Sequence, residues 1–573
     1  MPDGCIPRWK LLDAVSTPNL ESFARCLTLK GTDWRALERA VARIMGHCGW
    51  RDVSIIGRTG DMGADIVGIR DQDGRPKAWV VQVKSITGGN YVGVNGLNEV
   101  MQAQSIYNAH VAVLATNGDF TSSVKKRQES LHKASYDVRL WNGAFLEGLL
   151  SKWPEKHNLN RPLRLYQSEI VAKAMETFDT GGNKAQYVVA TGLGKTVVAA
   201  EIAYKLWERG YKKQLVLCHA QDLALQLEQG FWPQLGKSVP TRFFFDGMPP
   251  IVYEGINFGL YQSLQGYLSG IAPGSYDVVI VDEAHHALAH GFRGCVDHLA
   301  PRFLIGMTAT PWRGDGKSLD DLFGEPIARV SLVDGMAMGY LSQVDYRLYC
   351  DNIDWESIQG LSHQMLTIRD LNKRLFIPQR DDAIAGEIIK VASTLSSPRV
   401  AVFSPSIDHA RRFAALLSAS GLPCAPLSGE DRVERRRRLM EFSSGKLQAI
   451  TAVDVMNEGI DVPAVNMLVF LRATHSRRIF VQQLGRGLRL AHDKDKVIVL
   501  DFVSDIRRMA EVAEFDKDAR KEGAARENLY LKNGVVKFND LRAQKFIEAW
   551  LSDVADLGGA SDTERLTFPE SII

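Results

Sequence analysis

Apolar residues recur at Trp34, Leu37, Val41 and Ile44, a spacing that predicts a helix up to about Gly46. Short apolar runs then follow at 52–56, 65–69 and 78–84. The turn signals Asp73-Gly74 and Gly88-Gly89-Asn90 separate them, so they read as strands. A helix over about 95–108, a strand at 110–115, a helix over about 121–133 and a short strand at 138–140 complete an α/β unit spanning 31–152.

Residues 153–162, which begin Trp153-Pro154, read as a linker. Beyond it, apolar runs at 186–190, 214–218, 278–281 and 303–306 alternate with helical stretches. The alternation resumes at 399–403, 449–452, 467–471 and 497–502. Short buried strands alternating with helices predict parallel sheets covered on both faces. The expected fold class is therefore α/β throughout. Two parallel-sheet lobes, 163–330 and 396–505, flank a less regular segment, 331–395. A charged, helical tail is expected over 506–573. The extension 1–30 suggests no function.

Composition narrows the classes. In 573 residues, 45% are hydrophobic and 24% charged, which excludes a disordered or coiled-coil chain. The formal charge of +2 argues against a histone-like blanket of positive charge but leaves room for local basic patches. Seven cysteines stand far apart with no C-x-x-C pair. A disulfide framework and a structural zinc site are therefore unexpected. The first ten residues lack an apolar core, and no run of about 18 apolar residues occurs, so a cytoplasmic protein without a membrane span is expected.

The strongest chemical signal is the stretch 188–196, which follows a strand and opens a helix. Thr191, Gly192, Leu193 and Gly194 form a loop whose backbone N–H groups can cradle an anion at the helix N-terminus. Lys195 is placed to reach the β- and γ-phosphates, and Thr196 to ligate Mg²⁺. The strict pattern asks for glycine where this chain has Val189. A second apolar strand ends in Asp282-Glu283. Asp282 is expected to hold the metal that bridges the phosphates, and Glu283 to orient the attacking water. The expected cofactors are ATP and Mg²⁺.

These residues resemble motifs I and II of superfamily 2 helicases of the DEAD/DEAH type. The remaining motifs appear in order over about 160–505. By that resemblance Gln167 reads adenine, and His219, Leu223 and Gln226 belong to motif Ia. Tyr261 opens the next DNA-tracking motif, and Thr308-Ala309-Thr310 is motif III. Phe403-Ser404 resembles motif IV. Thr451 and 457–463 form motif V, which brings Gly459 and Asp461 to the nucleotide. Residues 482–489 form motif VI, whose candidates Arg486 and Arg489 can stabilise charge on the γ-phosphoryl group when the lobes close. Asp282-Glu283-Ala284-His285-His286 and Gly485-Arg486-Gly487-Leu488-Arg489 look closer to restriction and repair translocases than to RNA-remodelling enzymes. One of the two histidines is expected to couple motif II to motif III. The five arginines at 432 and 435–438 read chiefly as a solvated helix face.

In the N-terminal unit the chemistry-bearing residues are Asp61, Asp65, Gln82 and Lys84. Period-2 spacing puts Gln82 and Lys84 on one face of their strand, with Val81 and Val83 on the other. If this strand pairs with the one that follows Asp65, a carboxylate and an amide carbonyl converge, a donor set suited to Mg²⁺. Lys84 can then orient the attacking water. The pattern resembles the Mrr-like branch of the PD-(D/E)xK nucleases, in which the third signature residue can be glutamine. The same resemblance brings in Glu38 on the first helix as a catalytic candidate. The unit is expected to have the restriction-endonuclease-like fold, and the two lobes the RecA-like fold.

The expected function is an ATP-dependent translocase that tracks double-stranded DNA through its phosphates and is coupled to a Mg²⁺-dependent endonuclease restricting foreign DNA. Restriction or defence-system proteins are candidate partners, and no membrane is. Two other readings stay open. One is a remodelling motor whose residues 31–152 only bind DNA; the other is an ATPase subunit of a larger restriction complex. Nothing in the sequence ties the N-terminal unit to the motor except the linker, so the two activities are expected to separate.

Overall fold

The computed structural model describes residues 34–56, 63–72, 74–86, 90–152, 162–236, 239–244, 252–288, 290–309, 319–349, 365–367, 369–370, 381–427, 432–453, 465–471, 494, 496–502 and 565–567. They fall into two compact units. One runs to Arg329 without Ala190–Leu193; the other comprises Ala190–Leu193 and the chain from Val330.

The first unit opens with helix α1 (Trp34–His47), followed by β1 (Arg51–Ile55), β2 (Ile66–Gln72) and β3 (Arg75–Lys84). The short strand β4 (Tyr91–Val92) precedes helix α2 (Val94–Ile106), and β5 (Val111–Thr116) precedes β6 (Asp119–Phe120). Helix α3 (Ser122–Lys133), β7 (Asp137–Trp141) and helix α4 (Gly143–Lys152) complete the domain. The sheet order is β1-β2-β3-β5-β7. β2 and β3 form an antiparallel hairpin in the register Ile66↔Val81, and β5 lies parallel to β3. The alternation along β3 has the consequence expected of a strand covered on both sides. Trp79, Val81 and Val83 join Leu37 and Val41 of α1 and Leu146 of α4 in one core. On the other face Lys84 meets α2, where a Cβ on Gly96 would lie 3.4 Å from its Cγ.

The same unit continues with helix α5 (Leu165–Asp179), β8 (Lys184–Val189), helix α6 (Lys195–Glu208), β9 (Lys213–Cys218) and helix α7 (Gln221–Phe231). A 3₁₀ turn (Trp232–Gln234) follows, then β10 (Thr241–Phe244), β11 (Gly255–Leu260), β12 (Val278–Asp282), helix α8 (His290–Leu299), β13 (Phe303–Thr308) and β14 (Pro326–Val330). The sheet order is β10-β11-β9-β12-β13-β8-β14. β9, β12, β13 and β8 are mutually parallel, so the ends of β8, β12 and β13 share one edge. That edge carries motifs I, II and III. β10, β11 and β14 were not anticipated from the pattern.

The second unit contains β15 (Gln343–Tyr349), β16 (Met365–Thr367), helix α9 (Asp381–Ala392), β17 (Val400–Phe403), helix α10 (Ile407–Ala419) and β18 (Cys424–Leu427). Helix α11 (Arg432–Ser444), β19 (Ala449–Ala452), β20 (Met467–Phe470), β21 (Lys496–Phe502) and β22 (Arg565–Thr567) follow. The sheet order is β15-β21-β20-β17-β19-β18, with β16 and β22 paired separately. The segment expected to be irregular, 331–395, thus supplies an edge strand and a helix: β15 pairs with β21 in parallel across some 150 residues of chain. On α11, Arg437 and Arg438 both pair with Glu434, which supports the reading of these arginines as a helix surface. The tail 506–573 lies outside the described residues apart from β22.

Candidate ATPase and nuclease sites

At the motor site, β8 delivers the chain into a loop that re-enters as α6. Gly192 and Gly194 have φ of +88° and +83°, a region that costs a residue with Cβ roughly 1–2 kcal/mol. Gly194 caps α6, and a Cβ there would lie 2.6 Å from Gln167 Nε2. The expected adenine reader is thereby held against the loop. Its Oε1 accepts from the Arg164 N–H at 3.0 Å, which fixes the side chain at the start of α5. Ala190 and Leu193 group with the second unit, where the Ala190 N–H donates to the Val330 carbonyl at 2.9 Å.

Lys195 Nζ donates to Glu283 Oε1 at 3.0 Å. Asp282, at the end of β12, is buried. Burial pushes its carboxyl up to about 6, against the pull of the Lys195 ammonium and with the push of the Glu283 carboxylate. Glu283 sits at φ +45°, an unusual conformation for a non-glycine residue at a strand-to-turn junction. His285 Nδ1 lies 3.1 Å from Thr308 Oγ1 and 3.4 Å from Glu283 Oε2, so the end of β12 and the end of β13 meet at this ring. His286 packs between His219 and His285, with ring centroids 4.3 Å from each. The end of β9 is thereby added to the same cluster.

At the nuclease site, the β2–β3 hairpin brings Asp65 to Gln82. Asp65 Oδ2 accepts from Gln82 Nε2 at 2.7 Å and from the Val83 N–H at 2.6 Å. Gln82 Oε1 is buried without a hydrogen-bond partner. Lys84 forms an ion pair with Glu99 of α2. Sequence reasoning missed Glu99, although it is the sole charged residue of α2. The turn before Asp65 also closes on it, since a Cβ on Gly63 would lie 2.6 Å from the Glu99 carbonyl oxygen. Glu38 is buried on α1. Asp61, Thr310, Gly459, Asp461, Arg486 and Arg489 lie outside the described residues.

Among the described residues, no group of three or more His, Cys, Asp or Glu side chains could hold a metal ion. The donors at both sites are instead mixed oxygens. At the nuclease site the partnerless carbonyl oxygen of Gln82 adjoins a carboxylate, which fits a hard, oxygen-seeking cation. At the motor site Asp282 is a buried carboxyl that a cation beside Thr196 would return to its ionised form.

One contact set contradicts the expectation that only a linker joins nuclease to motor. Trp232, from the turn after α7, is part of the nuclease core. Arg43 of α1 donates to the carbonyls of Val239 and Gly236, both at 3.0 Å. Arg39 donates to the Thr241 carbonyl at 3.2 Å and lies 3.5 Å from Glu228. These contacts were missed because their partners are about 200 residues apart in sequence; the expected linker lies outside the described residues up to Arg161.

Comparison with known proteins accords with this geometry. Residues 29–150 match the family described as restriction endonuclease, 160–313 the res subunit of type III restriction enzymes, and 382–491 the helicase conserved C-terminal domain. The chain thus joins a restriction-endonuclease domain to two helicase domains. Over 376 residues it is 26% identical to the type I restriction enzyme EcoAI endonuclease subunit of Escherichia coli, covering 59% of this chain and 46% of the relative. Over 518 residues it is 23% identical to the EcoKI endonuclease subunit of Escherichia coli K12, covering 76% and 43%. A solved structure of the ATP-dependent type ISP enzyme LlaBIII bound to DNA aligns at 16% identity and a TM-score of 0.49, covering 91% of this chain and 41% of that one. The chain spans about half the length of the first curated relatives it matches. No described helix is long and apolar enough to cross a membrane.

Proposed function

We propose that this chain is an ATP-driven translocase on double-stranded DNA, coupled to a Mg²⁺-dependent endonuclease that restricts foreign DNA such as that of phages or plasmids. The observation that supports the reading is that one compact unit holds two polar clusters, Lys195 paired with Glu283 next to Asp282, and Asp65 bonded to Gln82 on the strand that carries Lys84.

In the motor, Lys195 offers its ammonium to the β,γ-phosphates, and Glu283 becomes available to orient and deprotonate water as that ammonium turns to the phosphate. Thr196 and Asp282 would hold Mg²⁺, which supplies charge neutralisation on the phosphates. His285 transmits the state of Glu283 to Thr308 and so towards the nucleic-acid groove. In the nuclease, Asp65 and the Gln82 carbonyl would hold Mg²⁺, which neutralises the scissile phosphate. Lys84, steadied by Glu99, orients the attacking water. Tracking is through backbone phosphates and so tolerant of sequence.

The test is a cleavage assay with the pure protein on modified and unmodified DNA, with and without ATP and Mg²⁺. Cleavage that requires Mg²⁺ and depends on ATP supports the reading. Intact DNA-stimulated ATPase without cutting would instead leave a motor with a DNA-binding domain. A second reading, an ATPase subunit working only inside a larger restriction complex, draws support from the relatives' names as subunits and their greater length. It requires that ATPase or cleavage appear only when partner subunits are added.

A further inference from the structure

Arg39, Arg43 and His47 recur every four residues and so form one stripe along α1, the helix that also carries Glu38. The stripe faces the motor lobe. Arg43 is buried and spends its guanidinium on the two carbonyls of the 236–239 turn. Arg39 reaches Glu228, which is fully buried on α7 and also accepts from the Thr241 hydroxyl. The Arg39 guanidinium lies 5.2 Å from the centroid of the Phe243 ring. His47 hydrogen-bonds to the backbone at Trp232, whose indole fills the nuclease core.

The same stretch of α7 packs against the first turn of α6, directly after the candidate phosphate loop. Gly230 packs so closely on α6 that a Cβ there would lie 2.6 Å from Thr196 Cγ2. Five consecutive residues, 228–232, thus contact the Mg²⁺-ligand candidate at one point and the nuclease domain at two. The helix they end starts at motif Ia, just after His219. An interface needed only for adhesion would be better served by apolar side chains, because buried charges lose hydration unless each donor and acceptor is met in one geometry. Charges that bond only in one geometry make this contact sensitive to small shifts of α7.

We propose that the α7 C-terminal turn, Glu228–Gln234, is the joint through which the ATP site and the nuclease domain act on each other. Occupancy at Thr196 shifts the turn through Gly230. The turn passes the shift to α1 and Glu38 through Glu228, Trp232 and the 236–239 carbonyls. By linkage the effect is reciprocal, so the state of the nuclease domain alters nucleotide affinity. This rests on the two-site reading above.

The test is hydrogen–deuterium exchange on the full chain with and without Mg²⁺ and ATPγS, compared at the 190–200 loop, at α1 and at 232–239. The expected result is protection of the loop together with a severalfold change in exchange at α1, which holds no nucleotide-binding residue. A protected loop with unchanged α1 overturns the joint while leaving the ATP site intact. A loop that nucleotide does not protect overturns the ATP-site reading itself. Arg43→Gln is then expected to abolish the α1 response, to keep the loop response and DNA-stimulated ATPase, and to lower ATP-dependent cleavage by at least about tenfold. Retention of the α1 response in folded Arg43→Gln, and likewise in Arg39→Ala, overturns the route through these residues.

Discussion

Gln82 donates its amide N–H to Asp65 Oδ2 at 2.7 Å, and its own carbonyl oxygen is left buried without a hydrogen-bond partner. An amide placed this way offers an oxygen but no charge, so under the proposed function the charge toward a cation would come from the Asp65 carboxylate. Asp65→Asn is therefore expected to reduce DNA cleavage by about 10²-fold or more, beyond the ~10–100-fold typical of outer-shell metal partners. ATPase should stay within about twofold, because the contacts proposed to couple the sites come from Arg39 and Arg43 of α1 and remain in place in this variant. Plasmid cleavage and ATP hydrolysis measured on the same preparation check both. Persistent cutting would place the nuclease site elsewhere.

Glu283 takes a left-handed backbone conformation, accepts from Lys195 Nζ at 3.0 Å and lies 3.4 Å from His285 Nδ1. Glu283→Gln keeps the shape but removes the base. ATP binding should survive, while turnover falls by about 10²–10⁴-fold, the usual contribution of a general base. Lys195→Ala should weaken binding as well. Steady-state hydrolysis set against nucleotide affinity separates the two, and full turnover in either variant removes the motor assignment.

Asp282 is raised by burial from the ordinary carboxylate range to about 6. A raised carboxyl is ionised only above that pH, and only the ionised form binds a cation well. The apparent affinity for Mg²⁺ in ATP hydrolysis should thus fall as pH drops below about 6, by up to roughly tenfold per unit, and excess Mg²⁺ should restore the rate. Measured Mg²⁺ titrations at pH 5.5 and 7.5 decide it; an affinity that does not change with pH contradicts a role for Asp282 in cation binding.

How much of this was legible in the sequence depends on how far apart the partners lie. The loop 190–194 and the Asp282-Glu283 pair are each written contiguously at the end of an apolar strand, so residue order alone places them at one edge of the sheet. Asp65 and Gln82 were also within reach, because one turn at Asp73-Gly74 closes the hairpin and period-2 alternation selects the face. Glu99 was not, because the packing of α2 over β3 that brings it to Lys84 leaves only a lone charge in an uncharged helix. β15 was lost in an apparently irregular stretch because its partner β21 begins only at Lys496. The stripe Arg39–Arg43–His47 was not singled out, because the partners that reveal it, Glu228 and the carbonyls of residues 236, 239 and 241, lie about 200 residues away.

His47 offers a pH signature of that covering. Burial and the neighbouring Arg43 lower its imidazole to about 3, against a backbone bond with Trp232 that raises it. The unfolded chain takes up a proton below about pH 6.5 and the folded chain does not. The stability contributed by neutral His47 is therefore complete above 6.5 and is lost as pH falls towards 3, by up to ~1.4 kcal/mol per unit. Unfolding midpoints from pH 7.5 to 5 should decline less steeply in His47→Gln than in the parent. Equal slopes would mean that His47 is solvated.

Trp232 tests the docking most directly, because it belongs to the motor lobe by sequence and to the nuclease by packing. It belongs to the same buried cluster as Leu37, Val41, Trp79 and Leu146, which come from α1, β3 and α4 of the nuclease domain. Truncation to alanine removes the largest side chain type from a filled core, a change that typically costs about 3–5 kcal/mol, through lost burial plus the cavity left behind. If the domains were joined only by the linker, that cost would fall on the motor lobe, and the nuclease would unfold as before. With the packing observed, Trp232→Ala should loosen α1 and β3 first. Their amide exchange should rise by roughly two orders of magnitude or more, since each ~1.4 kcal/mol is a factor of ten. Trp232→Phe, which retains an aromatic body, should recover much of the loss. Exchange that rises only in α7 and β10, with α1 and β3 unchanged, would show that the nuclease core stands without this residue.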